Sequence, residues 1–253
     1  MTTTNHNSNP SRKNYQDRIL RPEFEHLRLN FPHGPTWLRI LSPSGSGDGW
    51  RLPILAQEFP GGRYLHPATF DPERRSAFDI AHDWFRRFRP QMLRSRSNKR
   101  GYRLRPVQLC AFWAIEYSET GNHSLNLVLE SFNDGVKGPT GLAHEIQHKI
   151  TEKDENDRPM CDALHPENGV MICVERSKRQ FVKAPLDWVR VGRVPRSVND
   201  LFGKVRRKEM SALCLLEETL REPTVEEEWD YLGRLITPKL ADEIRTYALR
   251  YRA

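Results

Sequence analysis

The middle of the chain limits the folds available to it. Tyr102–Tyr117 is a long run of β-type residues, and Ser124–Leu129 (SLNLVL) is a second one. Between them Ser118–His123 carries Gly121-Asn122, a pair suited to the positive φ of a tight turn. The two runs therefore read as a hairpin. More strands flank it. Thr36–Leu41 (TWLRIL) alternates between Gly34-Pro35 and Ser42-Pro43, Trp50–Gln57 follows a Ser/Gly turn, and Arg63–His66 follows Pro60-Gly61-Gly62. Val170–Glu175 (VMICVE), Gln180–Lys183 and Trp188–Val191 complete the β-type segments.

Helical patterns sit among these strands. In Pro72–Leu93, Phe78, Ala81, Phe85 and Phe88 recur at roughly helical spacing. In Gly141–Ile150, Leu142, Ile146 and Ile150 form an apolar stripe after Thr140, which suits an N-cap. Beyond Pro195 four segments read as helices: Asn199–Lys208, Ser211–Arg221, Val225–Leu235 and Pro238–Tyr251. The expectation is a mainly β chain with helical additions, built on an OB-like barrel of five to six strands. Its parts are a polar, disordered N-terminal tail (residues 1–22), a nucleic-acid-binding domain (23–194) and a helical C-terminal extension (195–253).

Composition narrows the function. Forty Lys and Arg against 33 Asp and Glu give +7, which favours polyanionic partners, nucleic acid first. Cys110, Cys161, Cys173 and Cys214 are scattered with no CxxC pair, which speaks against a disulfide framework or a Cys-rich zinc module. No apolar run is long enough to span a bilayer, and no secretory signal opens the chain. A cytoplasmic protein without membrane contact or cofactor is expected.

Arg86–Arg105 (RRFRPQMLRSRSNKRGYRLR) holds nine Lys and Arg and no acid, with Phe88 and Tyr102 interleaved and Phe85 just before it. Such a stretch repels itself unless an anion arrives. Cations meet phosphates and flat rings meet bases, so Arg86, Arg87, Arg89, Arg94, Arg96, Lys99, Arg100, Tyr102, Arg103 and Arg105 are candidate nucleic-acid contacts. Further basic–aromatic neighbours lie on strands: Trp37/Arg39, Trp50/Arg51, Arg63/Tyr64, and Arg176 and Lys178 ahead of Phe181, with Trp113 on the long strand. Residues i and i+2 of a strand share a face, which puts Trp37 and Arg39 together, with Leu38 and Ile40 inward.

His144-Glu145-Ile146-Gln147-His148 spells HExxH on a helix, the spacing with which zinc hydrolases hold a metal and polarise its water. The extended form fails, because Thr151 and Asp154 stand where Gly and His would be needed. A zinc-dependent metallohydrolase is therefore the alternative reading.

Taken in order, Gly34–Pro43 (GPTWLRILSP) with Gly49-Trp50, Arg105–Tyr117 (RPVQLCAFWAIEY), Leu125–Glu130, Gly138–Ile150 (GPTGLAHEIQHKI) and Asp162–Arg176 (DALHPENGVMICVER) resemble the helix-destabilising single-stranded DNA-binding proteins of tailed phages. The resemblance covers roughly residues 24–191. It implies an OB-fold and sequence-tolerant binding of single-stranded DNA in replication, recombination or repair, without enzymatic activity. It also implies a DNA groove at the basic aromatic stretch together with Trp37, Arg39, Trp50 and Arg51. Relatives carry a Cys/His zinc knot, but residues 58–104 here hold His66 and His82 and no Cys, so that metal is not expected. The acidic segment Glu209–Asp230, with eight acids and one base, is the candidate for recruiting replication or recombination proteins through the C-terminal helices.

Overall fold

The computed structural model describes residues 16–31, 34–41, 50–94, 100–131, 141–153, 155–156, 163–176, 189–205, 209 and 213–251. In chain order the elements are β1 (Gln16–Arg18), β2 (Gly34–Ile40), β3 (Leu52–Phe59), β4 (Gly62–Leu65), α1 (Ala77–Phe88), β5 (Val107–Glu116), β6 (Ser124–Ser131), α2 (Leu142–Thr151), β7 (Val170–Arg176), β8 (Val189–Pro195), α3 (Val198–Phe202), α4 (Val225–Leu235) and α5 (Pro238–Tyr251). The chain is mixed α/β and divides into two compact units. One comprises Met1–Leu20, Leu55–Val107 and Arg221–Ala253; the other comprises Arg21–Ile54 and Gln108–Leu220.

In the second unit the strands run β6-β5-β2-β7-β8, each pair antiparallel. The central hairpin is present: Glu116 pairs with Ser124, and Gly121 takes φ +85° in the turn, where a side chain would be strained. One sheet face carries Leu38, Phe112, Ala114, Ile172 and Val174, and α2 lays Leu142, Ala143, Ile146 and Ile150 into the same core. Trp50 closes it, edge-on to Phe112 at 4.9 Å. Among the described residues β6 and β8 do not pair with each other. The sheet is therefore open, and the expected closed barrel is not shown.

In the first unit β1 lies parallel to β4, and β4 turns back on β3 through Gly61 at φ +100°. Its core joins Phe78 and Phe85 of α1 to Tyr231, Leu232, Ile236 and Ile244 of the C-terminal helices. Phe59 and Tyr231 stack at 4.4 Å.

This division corrects the expected one in two places. Residues 221–253 do not form an appendage, because their apolar faces complete the core around α1. The expected tail of residues 1–22 also ends early: β1 pairs with β4, and Ile19 and Leu20 are buried, an apolar pair that cannot remain in water without cost. The rest of that tail, residues 1–15, and the expected strand at Gln180–Lys183 lie outside the described residues. No described helix is long and apolar enough to cross a membrane.

Candidate nucleic-acid interface

The basic stretch begins on α1, whose start is firmly fixed. Ser76 and Asp79 form a capping box, each accepting the other's backbone N–H. Glu228 of α4 accepts the N–H of Ala77 at 2.9 Å. With the helix phase set in this way, Ala77, Phe78, Ala81, Trp84 and Phe85 turn inward, and Arg86, Arg87 and Arg89 emerge exposed at the C-terminal end. Cations are favourable at that end of a helix.

Beyond the Pro90–Met92 turn the chain pinches into a neck. Leu93 bridges Tyr102, Arg94 N–H donates to Tyr102 O (3.0 Å), and Tyr102 N–H donates to Met92 O (2.7 Å). The approach is so close that a Cβ on Gly101 would lie 2.4 Å from the Leu93 carbonyl carbon. Arg94 and Arg100 stand exposed at this neck, and Tyr102 rests half-buried on Phe85 at 5.4 Å. Arg103 is exposed but paired with Glu58 at 2.9 Å, and Arg105 donates to His82 Nε2 at 3.4 Å.

Beside α1 lies a groove of about 550 Å³ lined by Trp84, Phe88, Arg89, Glu243, Tyr247 and Arg250. Phe88 is 47% exposed and meets Tyr247 edge-on at 5.3 Å, with Trp84 at 5.4 Å. The Arg87 guanidinium lies 5.4 Å from the Phe88 ring centre and donates to the Tyr247 hydroxyl at 3.0 Å. Arg89 sits over Trp84 at 5.3 Å. Sequence reading missed Tyr247 and Arg250. Their spacing places them on one side of an amphipathic α5, but nothing local ties that helix to α1, about 160 residues upstream.

Other sequence candidates fall elsewhere. Trp50, Trp113 and Tyr64 are core residues, not groove residues, and Arg39 is fully buried. Trp50 Nε1 donates to Gln147 Oε1 at 2.9 Å, and Trp113 Nε1 donates to the Cys214 carbonyl at 3.0 Å. Tyr64 packs between Phe78 and Tyr231. Arg39 donates to the carbonyls of Arg196 (3.0 Å), Ile40 (3.1 Å), Ala163 and His165, so it ties a loop down rather than meeting a ligand. Gly169 admits that guanidinium, since a Cβ there would lie 2.2 Å from Arg39 Nη2. Arg51 and Arg63 are half-buried, Arg51 beside the Trp50 ring and Arg63 paired across the ladder with Glu58. Trp37 stays exposed. Arg96, Lys99, Lys178 and the side chain of Arg176 lie outside the described residues.

The HExxH segment occupies α2 as expected for a helix, but its Glu145 side chain is buried and Gln147, between the histidines, holds Trp50. Among the described residues no three His, Cys, Asp or Glu side chains gather into a group that could hold a metal ion. Comparison of the chain with protein-family models and with curated proteins gives no match.

Proposed function

We propose that this chain is a non-enzymatic protein that binds single-stranded DNA without sequence preference, in replication, recombination or repair. The observation that carries the reading is the end of α1. There, Arg86, Arg87 and Arg89 are exposed on the same last turn as Phe88, with the Arg87 guanidinium beside the Phe88 ring and Arg89 lining the groove shared with Tyr247 and Arg250. Guanidiniums track a phosphate backbone, and a half-exposed ring beside them offers an unpaired base of any identity a surface to stack on. A paired duplex offers the same phosphates but keeps its ring faces stacked, so the two chemistries together favour the single strand. An opened relative of the OB-fold, with α2 inserted ahead of β7, is the architecture this reading assigns to the antiparallel sheet.

The test is fluorescence polarisation with labelled oligo-dT and with a duplex of equal length, at two salt concentrations. Tighter binding of the single strand, weakening steeply with salt, is expected. Replacing Arg86, Arg87 and Arg89 together with Ala should lower the slope of log K against log salt by about 2, at roughly 0.7 per single-strand phosphate contact. Equal affinity for single strand and duplex would overturn the proposal.

A further inference from the structure

The open sheet carries a second ring-and-cation array that the basic stretch does not include. Cross-strand register places Tyr117, Trp37, Cys173 and Arg190 in one row. Leu38 faces Glu116, so Trp37 faces Tyr117, whose N–H donates to Trp37 O at 2.9 Å; Trp37 faces Cys173, and Cys173 faces Arg190. Their side chains share the face opposite Leu38, Ile172 and Val174, which belong to the core. Arg39, two residues from Trp37, is on this face as well, and the segment around Ala163–Gly169 covers that end. The Trp37 end is open, with the indole 36% exposed.

Gly192 on β8 makes room for the indole. A Cβ there would stand 3.3 Å from Trp37 Cζ3 and 3.1 Å from the Met171 carbonyl oxygen, so bare backbone is what lets the ring lean across β7. Two exposed guanidiniums flank the row. Arg196 lies 5.8 Å from the Tyr117 ring centre, and Arg190 reaches Cys173 Sγ at 3.8 Å and pairs with Glu175 at 2.8 Å. A partly open indole between two exposed arginines offers a flat ring and two cations side by side, the pairing that suits a planar, anionic ligand.

We infer that Trp37 is a stacking platform for one unpaired nucleobase, with Arg196 and Arg190 taking the adjoining phosphates. This site rests on the single-strand reading above but uses none of the residues of the α1 groove. Its distinguishing chemistry is the base, because phosphates alone gain nothing from an indole.

The test compares Trp37→Ala, Trp37→Phe and the Arg86/Arg87/Arg89→Ala variant against two probes, labelled oligo-dT and an abasic oligodeoxynucleotide of the same length. Thermal melting checks that each variant is folded. Trp37→Ala should weaken oligo-dT binding about tenfold or more, the effect of one lost stack, and leave abasic binding unchanged, while Trp37→Phe keeps most of the affinity. The triple arginine variant should weaken both probes alike. Unchanged oligo-dT affinity in folded Trp37→Ala, or an equal loss on both probes, overturns the platform and leaves the α1 groove standing. A triple variant that binds like wild type while Trp37→Ala fails overturns the α1 groove and leaves the platform. Failure of the wild-type protein to bind oligo-dT overturns both.

Discussion

Asp79 and Glu228 bracket the start of α1, and their titrations are displaced in opposite directions. Burial pulls the Asp79 carboxyl upward, but His66, the Ser76 N–H and the Ser76 hydroxyl outweigh it and hold it below its ordinary value. The Ala68 N–H occupies His66 Nδ1, which leaves Nε2 to face Asp79 and Ser76. Glu228 is displaced the other way: burial raises it despite the Ala77 N–H and Arg74. The signs follow by linkage. Asp79 contributes stability above the ordinary Asp value of about 3.9, and this is lost as pH falls through its lowered value. Glu228 contributes at low pH, and its contribution is lost as pH rises from about 4.3 through its raised value. Urea unfolding across this range should therefore show Asp79→Asn removing part of the acid-side loss and Glu228→Gln removing part of the loss on the rising side. A wild-type pH profile retained by both variants would contradict the assignment. At this same scale the sequence was a partial guide. It placed Trp37 and Arg39 on one strand face, but a strand cannot show what covers that face. The carbonyls of Ala163 and His165 that cover it come from more than a hundred residues away, so Arg39 reads as a ligand contact until those partners are seen.

Elements were more legible than side chains. The helical spacing in Pro72–Leu93 located α1, and the structure trims it to Ala77–Phe88, where Ser76 caps one end and Arg89 leaves helical geometry at the other. Phe88, expected to join the apolar stripe, lies off the buried arc, and Trp84 takes its place inside. The hairpin was legible because both strands and the turn are local, whereas closure of the sheet depends on register between distant strands. The stripe on α2 was also read correctly, but the helix is tied to Trp50 as well through Gln147, a residue the HExxH motif treats as filler. Trp50→Ala would empty the space against Phe112 and orphan the Gln147 amide. A loss of about 3–5 kcal/mol in urea unfolding is expected, with Trp50→Phe losing less. A near-neutral Trp50→Ala would mean that α2 is held chiefly by its leucine and isoleucines.

At the scale of the whole molecule, order along the chain misled the sequence reading. A change of composition after Pro195 looks like a boundary, but the helices beyond Arg221 belong with residues 55–107, and apolar periodicity cannot name the partner of a helix face. A chain truncated after Leu220 would lack Tyr231, Leu232, Ile236 and Ile244 from the core around Phe78 and Phe85. Hydrogen–deuterium exchange in residues 77–88 should then become fast, and the salt dependence of oligo-dT binding should become shallower. Retained protection of those residues would show that α1 needs no C-terminal helices. The same three-part construction of this unit bears on how the protein is made. Its pieces leave the ribosome in separate instalments, and Tyr247 and Arg250, which line the groove beside α1, follow that helix by about 160 residues. Until α5 has emerged, the Phe88 ring on α1 lacks its Tyr247 neighbour, so a partly made chain shows more apolar surface there than the folded unit does.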